Sequence, residues 1–312
     1  MKDEKQARLL AGLDIGGTKT AVLLVDQARH VLARETLPTL VSDDPALLVR
    51  GIAAAVRAAL GKAGARDADL LAVGAGVPGM VEGETGMVRL AVNLGLESYP
   101  LGAALAAELA VPVALENDVR AATLGAFAWL GRREDVRSIA YLSLGTGISA
   151  GLILDGRLYR GGRGMAGEIG HVIMEPDGAR CKCGLRGCLE TVASGPAIGS
   201  AWAAGDGTAP VVFAAAEAGD ETAVAVIQRA AEYTARAIQL LVMTVDVDKV
   251  AVGGGVAQAG AAFTKRLETE LARLRDASEL ARVMLPANIM EVMPAEADVA
   301  RWGAVALAEK LL

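Results

Sequence analysis

Apolar runs of strand length alternate along this chain with stretches of helical period. Residues 9–14 (LLAGLD) and 20–26 (TAVLLVD) flank a Gly16-Gly17 bend, and 31–37 (VLARETL) follows closely. Spacing this short predicts a three-stranded antiparallel meander. Asp43-Asp44-Pro45 has the form of a helix start, a capping residue followed by proline at the first helical position. Leu48, Ile52, Val56 and Leu60 then recur at helical spacing until Gly61 and Gly64 end the run. Residues 70–79 (LLAVGAGVPG) read as a buried strand entering a turn, Leu105 and Leu109 as part of a helix, and 111–119 (VPVALENDV) as a strand with a polar end.

The second half repeats this plan. Residues 138–147 and 148–156 form two apolar strands around a Gly-Thr-Gly bend, and Asp155-Gly156 signals a hairpin before RLYRG. Val224, Ile227, Ala231, Ile238, Leu241 and Val245 lie on one face of a long helix over 221–245. Residues 249–260 (KVAVGGGVAQAG) read as strand, glycine turn and helix, and 298–312 as a last amphipathic helix. The pattern predicts an α/β chain of two similar halves, with a boundary near Asp118 where the first sheet ends.

Composition narrows the function. The chain has 312 residues, enough for two cores, and a net charge of −6 with both signs interspersed. It has no basic patch, so nucleic acid is not an expected partner. The longest uncharged stretch, 138–154, is shorter than a membrane span and is broken by Gly-Thr-Gly. With no targeting segment at the N-terminus, the expectation is a soluble, cytoplasmic protein.

The chain's three cysteines, Cys181, Cys183 and Cys188, fall in one short loop that His171 precedes. An odd count so close together does not suit a disulfide framework. One imidazole and three thiolates suit tetrahedral Zn²⁺ in a closed, structural site, with no open position for hydrolysis. A reactive thiol pair or buried neutral cysteines are the other readings. The remaining histidine, His30, sits among polar residues and is expected to be exposed.

Two bends, DIGGTKT and LGTG, share a second chemistry. Glycine lets the backbone come close and accepts positive φ, threonine adds a hydroxyl donor, and Lys19 adds a mobile positive charge. Inward-pointing N–H groups of this kind hold phosphate oxygens. Asp14 adds a carboxylate suited to Mg²⁺. Simple hairpins with convenient glycines would look alike, but the third run, Gly253-Gly254-Gly255, tips the balance toward a nucleotide. Neither bend is a Walker A loop or a dinucleotide fingerprint. In LENDV, Glu116, Asn117 and Asp118 follow an apolar strand. A carboxylate there could accept a hydroxyl proton, and Asp118 would serve equally as a helix N-cap.

Together these residues resemble the ROK family of bacterial sugar kinases and related repressors, from Asp14 to the last helix. LDIGGTKT is similar to the first phosphate loop of the actin/hexokinase-like ATPase fold, LSLGTGI to the second, and VAVGGGVAQAG to the adenosine motif. GHVIMEPDGARCKCGLRGCLE matches the family's zinc signature at every ligand position. The resemblance implies a two-domain, ribonuclease H-like fold with a duplicated mixed sheet flanked by helices. Residues 1–118 with 299–312 would form the small domain and 119–298 the large one.

The resemblance also assigns roles. Asp118 would be the general base. Pro78, Gly79, Asn93, Asn117, Glu168, His171 and Glu190 would hold the sugar, His171 giving its other nitrogen to zinc beside Cys181, Cys183 and Cys188. Asp14, Gly16, Gly17, Thr18 and Lys19, with Gly145, Thr146 and Gly147 and Gly253 to Gly255, would hold ATP and Mg²⁺. The activity implied is phosphorylation of a hexose at the 6-hydroxyl, most simply glucose, by a dimer or tetramer. Alternatives are a kinase for N-acetylglucosamine, N-acetylmannosamine, mannose or fructose, or a non-catalytic sugar-binding regulator. The segment ahead of Asp14 is too short for the helix-turn-helix of the repressor branch. Leu96 stands where glucokinases of the family often carry an aromatic.

Overall fold

The computed structural model describes residues 8–133, 135–202, 207–258 and 261–312. The start of the N-terminal segment and Ala259-Gly260, the tail of the adenosine-like motif, lie outside the described residues. The chain divides into two compact units, Met1–Arg133 with Ala297–Leu312, and Glu134–Glu296.

The first unit runs β1 (Leu9–Ile15), β2 (Lys19–Asp26), β3 (Val31–Pro38), α1 (Pro45–Lys62), β4 (Leu70–Val77), β5 (Met80–Glu82), β6 (Met87–Ala91), β7 (Leu96–Tyr99), α2 (Leu101–Leu109), β8 (Val113–Asn117) and α3 (Asp118–Leu130). The second runs β9 (Ile139–Leu144), β10 (Ile148–Leu154), β11 (Arg157–Tyr159), α4 (Glu190–Ala193), α5 (Gly195–Ala201), α6 (Ala209–Glu217), α7 (Glu221–Val245), β12 (Lys249–Gly253), α8 (Gly255–Gln258), α9 (Ala261–Asp276), α10 (Glu279–Met284) and β13 (Met290–Val292). A last helix, α11 (Val299–Glu309), returns to the first unit.

The main sheets have one topology. Their orders are β3-β2-β1-β4-β8 and β11-β10-β9-β12-β13. In each, an antiparallel meander is extended by two parallel strands. Parallel neighbours need crossovers, and the helical stretches between them supply these. The duplicated plan read from the sequence is therefore present strand for strand. A small sheet, β5-β6-β7, is added to the first unit.

Helix α1 starts as its sequence predicts: the Asp44 side chain accepts from Ala46 N at 2.9 Å and Pro45 opens the first turn. Its end differs from the reading. Gly61 lies inside the helix, and the chain turns at Gly64, whose φ is +67°. Leu48, Ile52, Val56 and Leu60 are buried against the sheet, each worth about 1.5–3 kcal/mol of apolar burial. Both faces of β1 are covered. Leu9, Ala11, Leu13 and Ile15 pack in one core, while Leu10 packs with Val305 and Ala308 of α11 in another. Helix α11 lies so close to the sheet that a Cβ on Gly12 would come within 2.7 Å of Val305 N. Helix α3 packs on α11 and so belongs with the first unit, where the sequence reading had cut the chain ahead of it.

The second core is built around α7. The helix runs where the sequence placed it, but its buried stripe is mostly small residues, among them Ala230, Ala231, Thr234 and Ala235. Phe213 and Phe263 meet edge to face beside it at 6.3 Å. Val224 and Val245, expected on the apolar face, are only half-buried.

Candidate functional site

In the first unit, the groups singled out from the sequence gather at the ends of β1, β4 and β8. Asp14 is the penultimate residue of β1, and the bend after it closes with Gly16 N donating to Lys19 O at 2.9 Å. Gly17 lies against the 92–94 turn: a Cβ there would come within 2.7 Å of the Asn93 carbonyl oxygen. Any side chain at Gly17 would therefore push the phosphate-type bend off the segment that carries Asn93. Thr18 and Lys19 are exposed at the tip.

Strand β8 delivers the next group. Asn117, not Asp118, caps α3: its Oδ1 accepts from Val119 N at 3.1 Å and Arg120 N at 3.2 Å. Asp118 is the first helical residue and does not act as the N-cap. Its Oδ1 accepts from Asn117 Nδ2 at 2.9 Å and Val119 N at 2.9 Å. Asn117 Nδ2 also donates to Gly79 O at 3.1 Å. Gly79, with φ of +96°, lines a hollow of about 220 Å³ together with Pro78, Met80, Leu90 and Asn93. Four predicted residues, Pro78, Gly79, Asn93 and Asn117, and the carboxylate of Asp118 are thus tied together. Leu96 is elsewhere. It is 3% exposed in the core of the unit, so the missing aromatic does not touch this hollow.

Both carboxylates prefer their protons more than usual. Burial raises the Asp118 pKa, against the lowering effect of the Val119 N–H, Asn117 and the Arg120 charge. Asp14 is raised by burial and by the Asp118 charge, and drawn down by Lys19 and Arg301. The Asp118 charge that raises Asp14 would be relieved by a hard divalent cation, for which the Asp14 carboxylate is a suitable ligand.

Glu116 takes a different part from the one its place in LENDV suggested. It is fully buried and pairs with Arg120 Nε at 2.8 Å, so it is no candidate base. Arg120 escaped sequence reading, although its spacing from Glu116 is one at which charged side chains meet.

In the second unit, the equivalent bend closes with Gly145 N donating to Gly147 O at 3.0 Å. Glu190 comes to it from α4: its Oε2 accepts from Ile148 N at 3.0 Å, and a Cβ on Gly147 would lie 2.7 Å from that oxygen. One Glu190 oxygen is thus engaged by the backbone. Gly195 N donates to Gly145 O at 2.8 Å, and Gly254, with φ of +91°, packs on the Leu144 peptide. The Gly145 bend, the start of α5 and the Gly253-Gly254-Gly255 turn are therefore one neighbourhood. The sequence offered no sign of Gly195's part. Thr146 and Glu168 are exposed, and Gly255 opens α8 with free space where a Cβ would be.

The cysteines and His171 converge as expected. Their ligand atoms all lie within 4.8 Å of one another. Cys181 Sγ is 3.6 Å from His171 Nδ1, and Cys183 Sγ is 3.7 Å from Cys188 Sγ. These are the edges of a tetrahedron with metal–sulfur bonds of about 2.3 Å, whose edge is ~3.8 Å. The loop is pinned around them: Cys181 N donates to Leu185 O at 2.8 Å, and Leu189 N to Val172 O at 3.0 Å. Burial and the neighbouring sulfurs push the Cys188 thiol up to about 12, while the Leu185 N–H holds Cys183 below its usual value. A metal would have to displace the Cys188 proton, as zinc does in thiolate sites. His30 is exposed and pairs with Asp26 at 2.9 Å, in keeping with its bland reading.

Among the described residues, no helix is long and apolar enough to cross a membrane. Compared with known proteins, residues 10–310 match the ROK family. A glucokinase of Halalkalibacterium halodurans is 35% identical over 297 residues, 87% of this chain and 89% of its own length. An N-acetylmannosamine kinase of Vibrio vulnificus is 36% identical over 250 residues, 78% of this chain and 82% of its own. The crystal structure of a ROK family glucokinase from Streptomyces griseus, in complex with glucose and AMPPNP, superposes with a TM-score of 0.80 at 28% identity, covering 97% of this chain and 99% of that one.

Proposed function

The chain belongs to the ROK family, and from that premise we propose that it is a sugar kinase transferring the γ-phosphoryl group of ATP to the 6-hydroxyl of glucose. One observation carries the catalytic part. Asp118 is half-buried at the first turn of α3, with its carboxylate held through Oδ1 by Asn117 Nδ2 and Val119 N. Through Asn117 it is a single hydrogen bond from the hollow lined by Pro78, Gly79 and Asn93.

The Asp118 carboxylate accepts the proton of the sugar hydroxyl as the hydroxyl oxygen bonds to phosphorus and the bond to the ADP oxygen breaks. Its raised pKa suits a base of this kind, closer to neutrality than a surface carboxylate. The transfer otherwise needs positioning and charge neutralisation. Asn93 and Asn117 orient hydroxyls, with Glu168, His171 and Glu190 as further contacts. Lys19 and the N–H groups of the two glycine bends receive phosphate oxygens, and Gly253 to Gly255 the adenosine end. Asp14 would hold Mg²⁺, which would supply further charge neutralisation. His171, Cys181, Cys183 and Cys188 would hold a structural Zn²⁺, which would fix the imidazole and leave its other nitrogen for the sugar. The reading places the enzyme in the cytoplasm as a dimer or tetramer.

A second reading, phosphorylation of N-acetylmannosamine, is favoured by the Vibrio relative. A coupled assay of ADP release with Mg-ATP across glucose, mannose, fructose and the two N-acetyl sugars tests both. Turnover concentrated on glucose is the expected result. Turnover on an N-acetyl sugar moves the substrate and keeps the mechanism. Sugar binding without turnover on any of them overturns the kinase reading in favour of a regulator.

A further inference from the structure

Glu116 and Arg120 form an ion pair at 2.8 Å with side chains 0% and 7% exposed, two residues on either side of Asp118. The pair reaches three parts of the site. Glu116 Oε1 also accepts from Asn117 N at 2.9 Å, which sets the direction in which β8 ends. Arg120 Nη2 donates to Val81 O at 3.1 Å, and Asn117 Nδ2 donates to Gly79 O at 3.1 Å. Two side chains of one turn therefore clamp the segment that walls the hollow. A buried ion pair contributes little net stability compared with well-packed apolar residues of the same volume. Its consequence here is geometric and electrostatic.

The geometry points to Glu116–Arg120 as a positioning pair for the proposed reaction: it locks the base-bearing turn to the pocket wall and balances the charge that Asp118 feels. This rests on the reading of Asp118 as general base. Arg120 lowers the proton affinity of Asp118, and Glu116 neutralises part of that effect. Asp118 in turn raises Asp14 on β1, which also feels Lys19 from β2 and Asp298 and Arg301 at the start of α11. None of these is altered by changes at the pair.

The two single variants should then move the base in opposite directions. Glu116→Gln leaves the guanidinium uncompensated, so the acid limb of the kcat/KM profile shifts to lower pH. Arg120→Met removes the cation, so the limb shifts to higher pH. Each shift is about one pH unit, the effect of one charge at short range in partly buried surroundings. The double variant Glu116→Gln/Arg120→Met, neutral at both positions, brings the limb back toward the wild-type pH. It also serves as the comparison for Glu116→Gln should Arg120→Met not fold. Arg120→Lys keeps the charge but not the planar fork, and should raise the glucose KM while leaving the limb in place. A limb that stays put, or that moves the same way in both single variants, overturns the proposal and makes the pair a structural plug. Asp118→Asn is run in parallel: full turnover in that variant removes the base reading itself, a failure distinct from that of the pair.

Discussion

The bend after β1 and the bend after β9 occupy the same place in two sheets of one strand order, yet only the first carries charge. Asp14 and Ser143 are each the penultimate residue of their strand, and Lys19 and Ile148 each open the next. The first bend thus has a carboxylate and an ammonium where the second has a hydroxyl and an alkyl group. The fifth strand differs too. Strand β8 runs into Asn117 and Asp118, whereas β13 runs into Met293, which is buried. When a scaffold is duplicated, the backbone supplies the positions and the side chains decide which copy does chemistry. The second copy contributes neutral N–H donors, a carboxylate brought from outside the sheet by Glu190, and a Cys₃His knot.

The sharpest way to break this comparison is at Asp118. Asp118→Asn should lower kcat by about 10³-fold, within the usual range for a general base, while glucose binding measured by calorimetry changes little. Equal turnover in wild type and variant would mean that the first sheet's ends are no more chemical than the second's.

The knot comes next. Protein purified without chelator should contain one zinc per chain by metal analysis. Cys188→Ser should lose it, lower the melting temperature by about 5–10 °C and raise the glucose KM by about 10–100-fold through the loosened His171. Zinc-free protein with unchanged stability and KM would leave the cysteines as buried neutral groups.

The two bends themselves should give a smaller, graded difference. Lys19→Ala removes a charged phosphate donor and should raise the KM for ATP, or lower kcat, by about tenfold or more. Thr146→Val removes a neutral one and should cost about fivefold. Reversed magnitudes would mean that the charge of the first bend faces something other than phosphate.

The elements were legible because periodicity and punctuation coincide. Asp44-Pro45 starts α1, and Asp155-Gly156, both at positive φ, turns β10 into β11. The knot was legible because its ligands are close in sequence. What sequence reading lost are relations made by tertiary contact. Asn117 caps α3 because the turn after β8 points its amide oxygen at Val119 and Arg120, a choice between neighbouring residues that composition does not settle. Glu116 and its neighbour Leu115 are both buried, so alternation along β8 gives no sign that Glu116 faces Arg120. Leu96 follows the segment that carries Asn93 and departs there from the family's frequent aromatic, but β7 turns it into the core. The domain boundary moved for the same reason, since α11 returns from the far end of the chain to pack on α3.

The smallest effect expected is on stability, and its sign follows from the paired carboxylates. Folding raises the pKa of Asp14 and of Asp118 above the unfolded value of 3.8, chiefly through burial. The native protein therefore holds protons that the unfolded chain releases, and stability falls as pH rises from 3.8 through the folded values. Removing either charge should remove that penalty. Asp14→Asn and Asp118→Asn should each raise the melting temperature by on the order of 2 °C at pH 8, with the gain shrinking as pH approaches the unfolded value. Replacing Ser143, the position in the second sheet that matches Asp14, by Ala should give no such pH-dependent gain. A melting temperature that falls in both Asn variants at pH 8 would show that the carboxylates stabilise the first sheet, and that its charge is structural in origin.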